Sequence, residues 1–230
     1  MPGIPPARTF PRLYAILDVD VAAAQGVSPE ALCDEWLAAG VRLIQLRAKT
    51  MSLGPMLALA ERLAASCAGA GAAFVVNDRA DVARFAGNAG VTGVHVGQDD
   101  LSPEEVRRIA PALELVGLST HTEAQLTAAL TQPVDYVATG PVFPTSTKAR
   151  PDDVVGLDGV RRAALLVRGR GTPLVAIGGI TLDRAAEVIS AGADSVAVIA
   201  GLFAPGTSPR TRAEAWLDRL AQVTPPARGW

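Results

Sequence analysis

Two short apolar runs, residues 73–76 and 93–96, are each followed by acid: Asn77-Asp78 after the first, and Asp99-Asp100 just past the second. As neighbouring parallel strands joined by a helix, they would bring their carboxylates to one edge of a sheet. Two hard oxygen ligands at a strand-end cleft suit Mg²⁺, which keeps several waters and meets substrate phosphates. An acid after a strand also caps the helix that follows, so Asp78 by itself carries both readings.

A second group points to anions. In Gln45-Leu46-Arg47-Ala48-Lys49 a period of two puts Gln45, Arg47 and Lys49 on one strand face and Ile44 with Leu46 on the other. An amide, a guanidinium fork and an ammonium in register suit a multiply charged anion. The structural alternative is a set of ion pairs with inward-facing acids at the strand ends. Ser119 precedes a helix pattern and either donates to a phosphate or caps that helix. Thr145, Ser146, Thr147 and Lys148 follow a Pro-rich approach, and three hydroxyls with a lysine can wrap an anion. Their long connection, residues 139–156, reads as a lid that ligand would order. Gly178-Gly179 stands between a strand and a helix, where backbone N–H groups can reach a phosphate without a Cβ in the way. His95, inside a strand, reads as a satisfied interior imidazole. His121 could stand near substrate. No Ser/His/Asp triad or zinc-type histidine cluster is evident.

The elements that must position these residues alternate. Strand patterns lie at 13–17, 41–46, 73–76, 93–96, 113–118, 134–138, 174–177 and 195–199. Helix patterns lie at 29–39, 53–70, 80–89, from Ser102, and at 122–130, 157–167, 182–191 and 210–223. The strands are continuous Val/Ile/Leu runs, as parallel strands covered on both faces require. Eight β–α units within 230 residues predict one (β/α)₈ TIM barrel, an α/β domain spanning 1–230 with loose tails at 1–12 and 224–230. Such a barrel gathers its site at the C-terminal strand ends, with phosphate at the loops after the seventh and eighth strands.

Composition excludes other classes. A formal charge of −2 without a basic stripe argues against nucleic acid. No apolar run reaches membrane-spanning length, and the N-terminus lacks a signal-like apolar segment. Cys33 and Cys67 lack metal-type spacing and read as reduced packing residues of a cytoplasmic protein. A homo-oligomer is compatible with all of this.

Six ordered motifs resemble the thiamine phosphate synthase family. They are Gln-Leu-Arg-x-Lys (45–49), Asn-Asp (77–78), Gly-Val-His-x-Gly-Gln-x-Asp (93–100), Ser-Thr-His (119–121), Gly-Pro-x-Phe-Pro-Thr-x-Thr-Lys (140–148) and Ala-Ile-Gly-Gly-Ile (176–180). The resemblance implies a TIM barrel that couples an aminopyrimidine methyl diphosphate to a thiazole ethyl phosphate, with Mg²⁺, releasing diphosphate. By position, Gln45, Arg47, Lys49 and Asn77 would hold the pyrimidine diphosphate, and Asp78 and Asp100 the metal. Ser119, Lys148 and Arg47 would act on the departing diphosphate. Thr145, Ser146, Thr147, Gly179, Ile199 and Ala200 would contact the thiazole phosphate, the last three through backbone. The implied mechanism is dissociative, matching the lack of an evident nucleophile.

The chain departs from the pattern at Ala200, where most relatives carry Ser, and at Ala48, often an acid. Two other readings use the same barrel: a thiazole tautomerase, which generally lacks the Gly97–Asp100 segment, and a non-catalytic phosphate-binding barrel, which would be expected to lose Asp78, Asp100 or Lys148.

Overall fold

Helix ends decide where several strands begin. Ser28 Oγ accepts from the Ala31 N–H, Pro29 occupies the first turn, and helix α2 (Pro29–Ala39) stops at Gly40 with φ 104°. The Val41 N–H then reaches back to the Trp36 carbonyl at 3.0 Å, a Schellman-type closure. Val41 therefore finishes the helix, and β2 runs Leu43–Arg47 instead of starting at 41. Leu113 and Val134 are diverted by turns within the connections ahead of their strands, their N–H groups bonding the carbonyls of Ala110 and Gln132. Strands β5 (Leu115–Thr120) and β6 (Tyr136–Thr139) start two residues later than the apolar pattern suggests.

The computed structural model describes residues 10–145 and 153–224. The remaining strands are β1 (Leu13–Asp18), β3 (Ala73–Asn77), β4 (Gly93–Val96), β7 (Leu174–Ile177) and β8 (Ser195–Val198). All eight pair in parallel, in sequence order, into a closed barrel, with β1 meeting β8 through Ala15 and Val198. The other helices are α1 (Val19–Ala24), α3 (Leu53–Gly69), α4 (Ala80–Phe85), α5 (Pro103–Ile109), α6 (Glu123–Ala129), α7 (Gly156–Val167), α8 (Ala185–Ser190) and α9 (Pro209–Ala221). Helix α1 is an element the apolar pattern does not predict. It forms because the Asp18 carboxylate caps it, accepting from the N–H groups of Asp20 and Val21 at 3.1 and 3.0 Å.

Two apolar layers result from strand alternation. Leu13, Ala15 and Leu17 of β1, with Ile44 and Leu46 of β2, face outward onto the helices. Tyr14, Ile16, Leu43, Val75, Tyr136, Ala138, Val175 and Ala197 fill the barrel. On α3, Met56, Leu59, Ala60, Leu63, Ala64 and Cys67 form the buried stripe, at about 1.5–3 kcal/mol for each large side chain removed from water. Residues 10–12, expected in a loose tail, are packed. Phe10 lies 5.2 Å from the Tyr136 ring, and Arg12 Nη1 donates to the carbonyls of Leu220 and Val223 at the end of α9. The Leu220 carbonyl also accepts from the Gln222 and Val223 N–H groups, so the guanidinium adds to the closure of the helix terminus and complements its dipole.

Candidate active site

The inward-facing side of the barrel carries the candidate residues to one rim. Asp18 follows Tyr14 and Ile16 on the inner face of β1, and its register partner is Arg47 of β2. Arg47 Nη1 donates to Asp18, whose side chain is 3% exposed. Two residues further along the chain, Lys49 pairs with Asp78. Asp78 follows β3 and by simple alternation would turn away from the barrel. It instead takes φ 62°, a left-handed conformation that Asp and Asn tolerate better than other side chains. Its N–H still bonds the His95 carbonyl of β4 at 2.7 Å, so the chain turns while staying joined to the sheet.

Asp100 folds back from the loop after β4, its Oδ2 accepting from the Gly97 N–H at 2.8 Å. The two carboxylates from neighbouring strand ends meet here. Burial pushes the Asp78 carboxyl above its ordinary range, Lys49 pulls it back, and the charge and shared hydrogen bond of Asp100 add to the rise. A carboxylate disfavoured by burial and by a like-charged neighbour is the donor a divalent cation relieves. Among the described residues no group of three or more His, Cys, Asp or Glu gathers. Two protein oxygen donors fit Mg²⁺ in its usual mode, with water and substrate phosphate supplying the rest.

The strand bearing Gln45, Arg47 and Lys49 does not present three groups to one spot. Gln45 lies deeper, 2% exposed, and its Nε2 donates to the Tyr14 hydroxyl at 2.7 Å. Arg47 and Lys49 stand above it, each with its own carboxylate. The structural alternative, ion pairs with inward acids, thus describes the geometry, and it leaves two cations held at the rim. Asn77 shares the inner parity of Val75, next to His95 in register.

Ser119 lies within β5, not in a loop after it, and its Oγ is 2.8 Å from His95 Nε2. His95 is a satisfied interior imidazole, since Nδ1 is also 3.0 Å from the Tyr136 hydroxyl. Burial lowers its pKa to about 4, against a smaller opposing pull from Asp100, so the ring is neutral near pH 7. The Ser119 carbonyl accepts from Gln98 Nε2 at 2.6 Å, tying the β4 loop to β5. His121 Nδ1 is 2.7 Å from the Gly140 carbonyl.

Beyond β6 the chain docks onto β7. Val142 N–H bonds the Ile177 carbonyl at 2.9 Å and Phe143 N–H the Gly178 carbonyl at 3.0 Å. A Cβ on Gly179 would stand 2.5 Å from the Pro144 carbonyl oxygen. The glycine pair therefore has a packing reason as well as the one suggested by sequence: the β6 loop lies directly on it. Arg184 covers the Phe143 ring at 4.3 Å. The first described part of this loop ends at Thr145; Ser146, Thr147 and Lys148 lie outside the described residues. Ile199 and Ala200 open a single 3-10 turn, Ala200–Leu202, after β8.

Three residues of this region escape motif reading. Asp18 shares the signal that drew attention to Asp78, an acid ending a strand, yet its partner became visible only with the β1–β2 register. Tyr14 and Tyr136 read as core, and their hydroxyls meet only inside the closed barrel, at 2.9 Å.

Comparison with known proteins accords with this geometry. Residues 13–202 match the family described as thiamine monophosphate synthase. The thiamine-phosphate synthase of Koribacter versatilis is 45% identical over 213 residues, covering 92% of this chain and 96% of that protein. The thiamine-phosphate synthase of Thermus thermophilus is 42% identical over 216 residues, covering 92% and 98%. The structure of thiamine phosphate pyrophosphorylase from Pyrococcus furiosus superposes with a TM-score of 0.77 at 31% identity, covering 92% of this chain and 95% of that one. Orotidine 5′-phosphate decarboxylase from Pyrococcus horikoshii, at 16% identity and a TM-score of 0.64, shares the fold alone. With the motifs, the barrel and these relatives in agreement, the chain belongs to the thiamine monophosphate synthase family, transferases of thiamine biosynthesis.

Proposed function

We propose that this chain joins 4-amino-2-methyl-5-(diphosphooxymethyl)pyrimidine to a thiazole ethyl phosphate in an Mg²⁺-dependent, dissociative reaction, giving thiamine phosphate and diphosphate. The observation that carries the reading is the meeting of Asp78 and Asp100 at the rim, beside two cations anchored by acids. Asp78 and Asp100 would hold Mg²⁺, whose contribution when bound is Lewis-acid stabilisation of the diphosphate charge.

The chain's own residues supply the rest. Asp18 holds Arg47, so that cation is fixed before substrate arrives, and Lys49, half-exposed, stands at the same rim paired with Asp78. A positioned cation stabilises charge as it develops without first reorganising. The carbon–oxygen bond breaks with its electron pair leaving on diphosphate, toward Arg47, Lys49, Ser119 and Lys148. The positive charge left on the pyrimidine methylene is captured by the thiazole nitrogen lone pair, forming the carbon–nitrogen bond. No general base is needed for that bond, since the nitrogen lone pair makes the capture without loss of a proton. Asn77 and Gln45 serve the pyrimidine side. Thr145, Ser146 and Thr147, with the backbone at Gly179, Ile199 and Ala200, take the thiazole phosphate and hold the nucleophile in place, which removes much of the entropic barrier.

The site of action is the cytoplasm, a reading supported by the free thiols of Cys33 and Cys67, 3.9 Å apart in the core. Among the described residues no helix is long and apolar enough to cross a membrane. The test is direct: incubate the protein with both phosphorylated substrates and Mg²⁺, and follow thiamine phosphate and diphosphate. Product that forms with Mg²⁺ and stops with EDTA is expected; undiminished product in EDTA would remove the metal from the reading.

A further inference from the structure

A chain of buried hydrogen bonds crosses the barrel and ends at Ser119. Gln45 Nε2 donates to the Tyr14 hydroxyl at 2.7 Å, Tyr14 and Tyr136 hydroxyls are 2.9 Å apart, and the Tyr136 hydroxyl is 3.0 Å from His95 Nδ1. His95 Nε2 then meets Ser119 Oγ at 2.8 Å. Gln45, Tyr14, Tyr136 and His95 are all buried, at 2%, 1%, 0% and 8% exposure. The rings are packed as well as bonded: Tyr14 stands edge-on to Tyr136, and His95 stacks on Tyr136 at 5.4 Å. Gly117 makes the room for this. A Cβ there would sit 2.1 Å from Tyr136 Cζ and 2.5 Å from His95 Nδ1.

Proton counting gives the chain a direction. With Gln45 Nε2 as donor, the Tyr14 oxygen is an acceptor and its single proton must go to Tyr136. Tyr136 in turn has one proton to give, and it goes to His95 Nδ1. Nδ1 is then a bare lone pair, the ring proton sits on Nε2, and Nε2–H donates to Ser119 Oγ. Ser119 keeps its own proton for the rim. If Tyr136 instead donated inward, the Tyr14 oxygen would receive two protons and its own would be buried without an acceptor, at a cost of about 1–3 kcal/mol. Only turning over the Gln45 amide reverses every bond together, and then Ser119 gives its proton to His95 and faces the rim with lone pairs.

We infer that His95 is a positioning residue, locked by the Gln45–Tyr14–Tyr136 chain as the Nε2–H tautomer so that the Ser119 hydroxyl points its proton at the departing anion. The chemistry requires that polarity. Oxygens gaining negative charge are stabilised by a donor and repelled by lone pairs, and a donor fixed in advance needs no reorganisation. The inference rests on the proposed reaction for what Ser119 does. The tautomer itself can be read without turnover.

The first experiment is nitrogen-15 NMR of the histidine rings in the full-length protein. The chain has two histidines, and a His95→Gln variant assigns the signals. A protonated Nε2 and bare Nδ1 on His95 is expected; a protonated Nδ1 overturns the inference, whatever the reaction proves to be. The second is a kinetic cycle with Tyr136→Phe, Ser119→Ala and the double variant. Tyr136→Phe is expected to lower kcat roughly 10- to 100-fold with little change in KM for the thiazole phosphate, by misdirecting one donor. In the Ser119→Ala background it should then change kcat by less than about 3-fold, since residues acting as a unit are not additive. Losses that multiply would mean that Tyr136 acts structurally, and would overturn the coupling. Tyr14→Phe, one bond further from His95, provides the same cycle if Tyr136→Phe does not fold. If the wild-type protein forms no thiamine phosphate, the proposed function fails, and the NMR result still decides the tautomer.

Discussion

Replacing Asp78 by Asn removes a charge while keeping shape, and Asn tolerates the φ of 62° as well as Asp does. The structure permits the stability effect to be separated from the catalytic one. The ion pair lost is with Lys49, whose side chain is 50% exposed, so screening limits its worth to about 0–1 kcal/mol. Against that, the substitution removes a carboxylate that burial and Asp100 have pushed above the ordinary range. A raised folded-state pKa means that stability is fully present below the unfolded value and is lost as pH rises through the folded value. Near neutral pH, then, charging Asp78 costs the folded state, and Asp78→Asn should melt within about 4 °C of wild type or above it in metal-free buffer. Any such advantage should vanish below about pH 4, where the carboxyl is neutral in both states. Turnover should behave oppositely. Losing one of the two carboxylates proposed to hold Mg²⁺ should lower kcat by roughly 10²- to 10³-fold, or about 3–4 kcal/mol at 1.4 kcal/mol per tenfold. The assay is thiamine phosphate formation at saturating substrates with Mg²⁺ titrated to excess, alongside calorimetric binding of the thiazole phosphate, which should be unchanged. Turnover within a few-fold of wild type at saturating Mg²⁺ would refute the metal assignment. A variant melting far below wild type at neutral pH would refute the electrostatic account.

Asp18→Asn keeps the cap on α1, because Asn accepts the same N–H groups, but releases Arg47. It should weaken binding of inorganic diphosphate by about 10-fold and cost about 1.5–3 kcal/mol of stability as a lost charged hydrogen bond; unchanged diphosphate affinity by calorimetry would show that Asp18 does not aim Arg47. Arg12→Ala should cost about 1–3 kcal/mol by removing the charged hydrogen bonds to the Leu220 and Val223 carbonyls, read from urea midpoints, with kcat unchanged. Cys67 is pushed above the ordinary thiol range by its contact with Cys33 and by burial, so neither thiol should react with a thiol reagent until the protein unfolds. Labelling of native protein faster than unfolding would contradict that packing.

Much of the candidate site was legible because strand parity is local. Gln45 and Arg47 face inward together because successive side chains alternate, which holds whatever the neighbouring strand is. Asp78 stands at the rim as an acid ending a strand should, though it gets there through one left-handed residue that parity does not foresee. The apolar pattern ran ahead of the strands at Val41, which a helix closure claims, and at Leu113 and Val134, which turn within the connections. Apolar patterning records burial, and a residue that caps a helix against the core is as buried as one in a strand. The lid expected at residues 139–156 is described only at its two ends, the first of which is anchored on β7.

The chain order of apolar runs, glycine stops and acid-ended strands determined by itself the eightfold alternation, the inward parity of the rim residues and the six motifs that mark the family. Closure of the barrel decided the partners. Arg47 and Asp18 are 29 residues apart, Gln45 and Tyr14 are 31, and Tyr14 and Tyr136 are 122. Local propensity carries no information about such contacts, since they depend on which strands are adjacent, on their register and on the width of the interior. Polar groups sealed in that interior must find one another because water cannot reach them, and that requirement joins two core-like tyrosines to a serine at the rim.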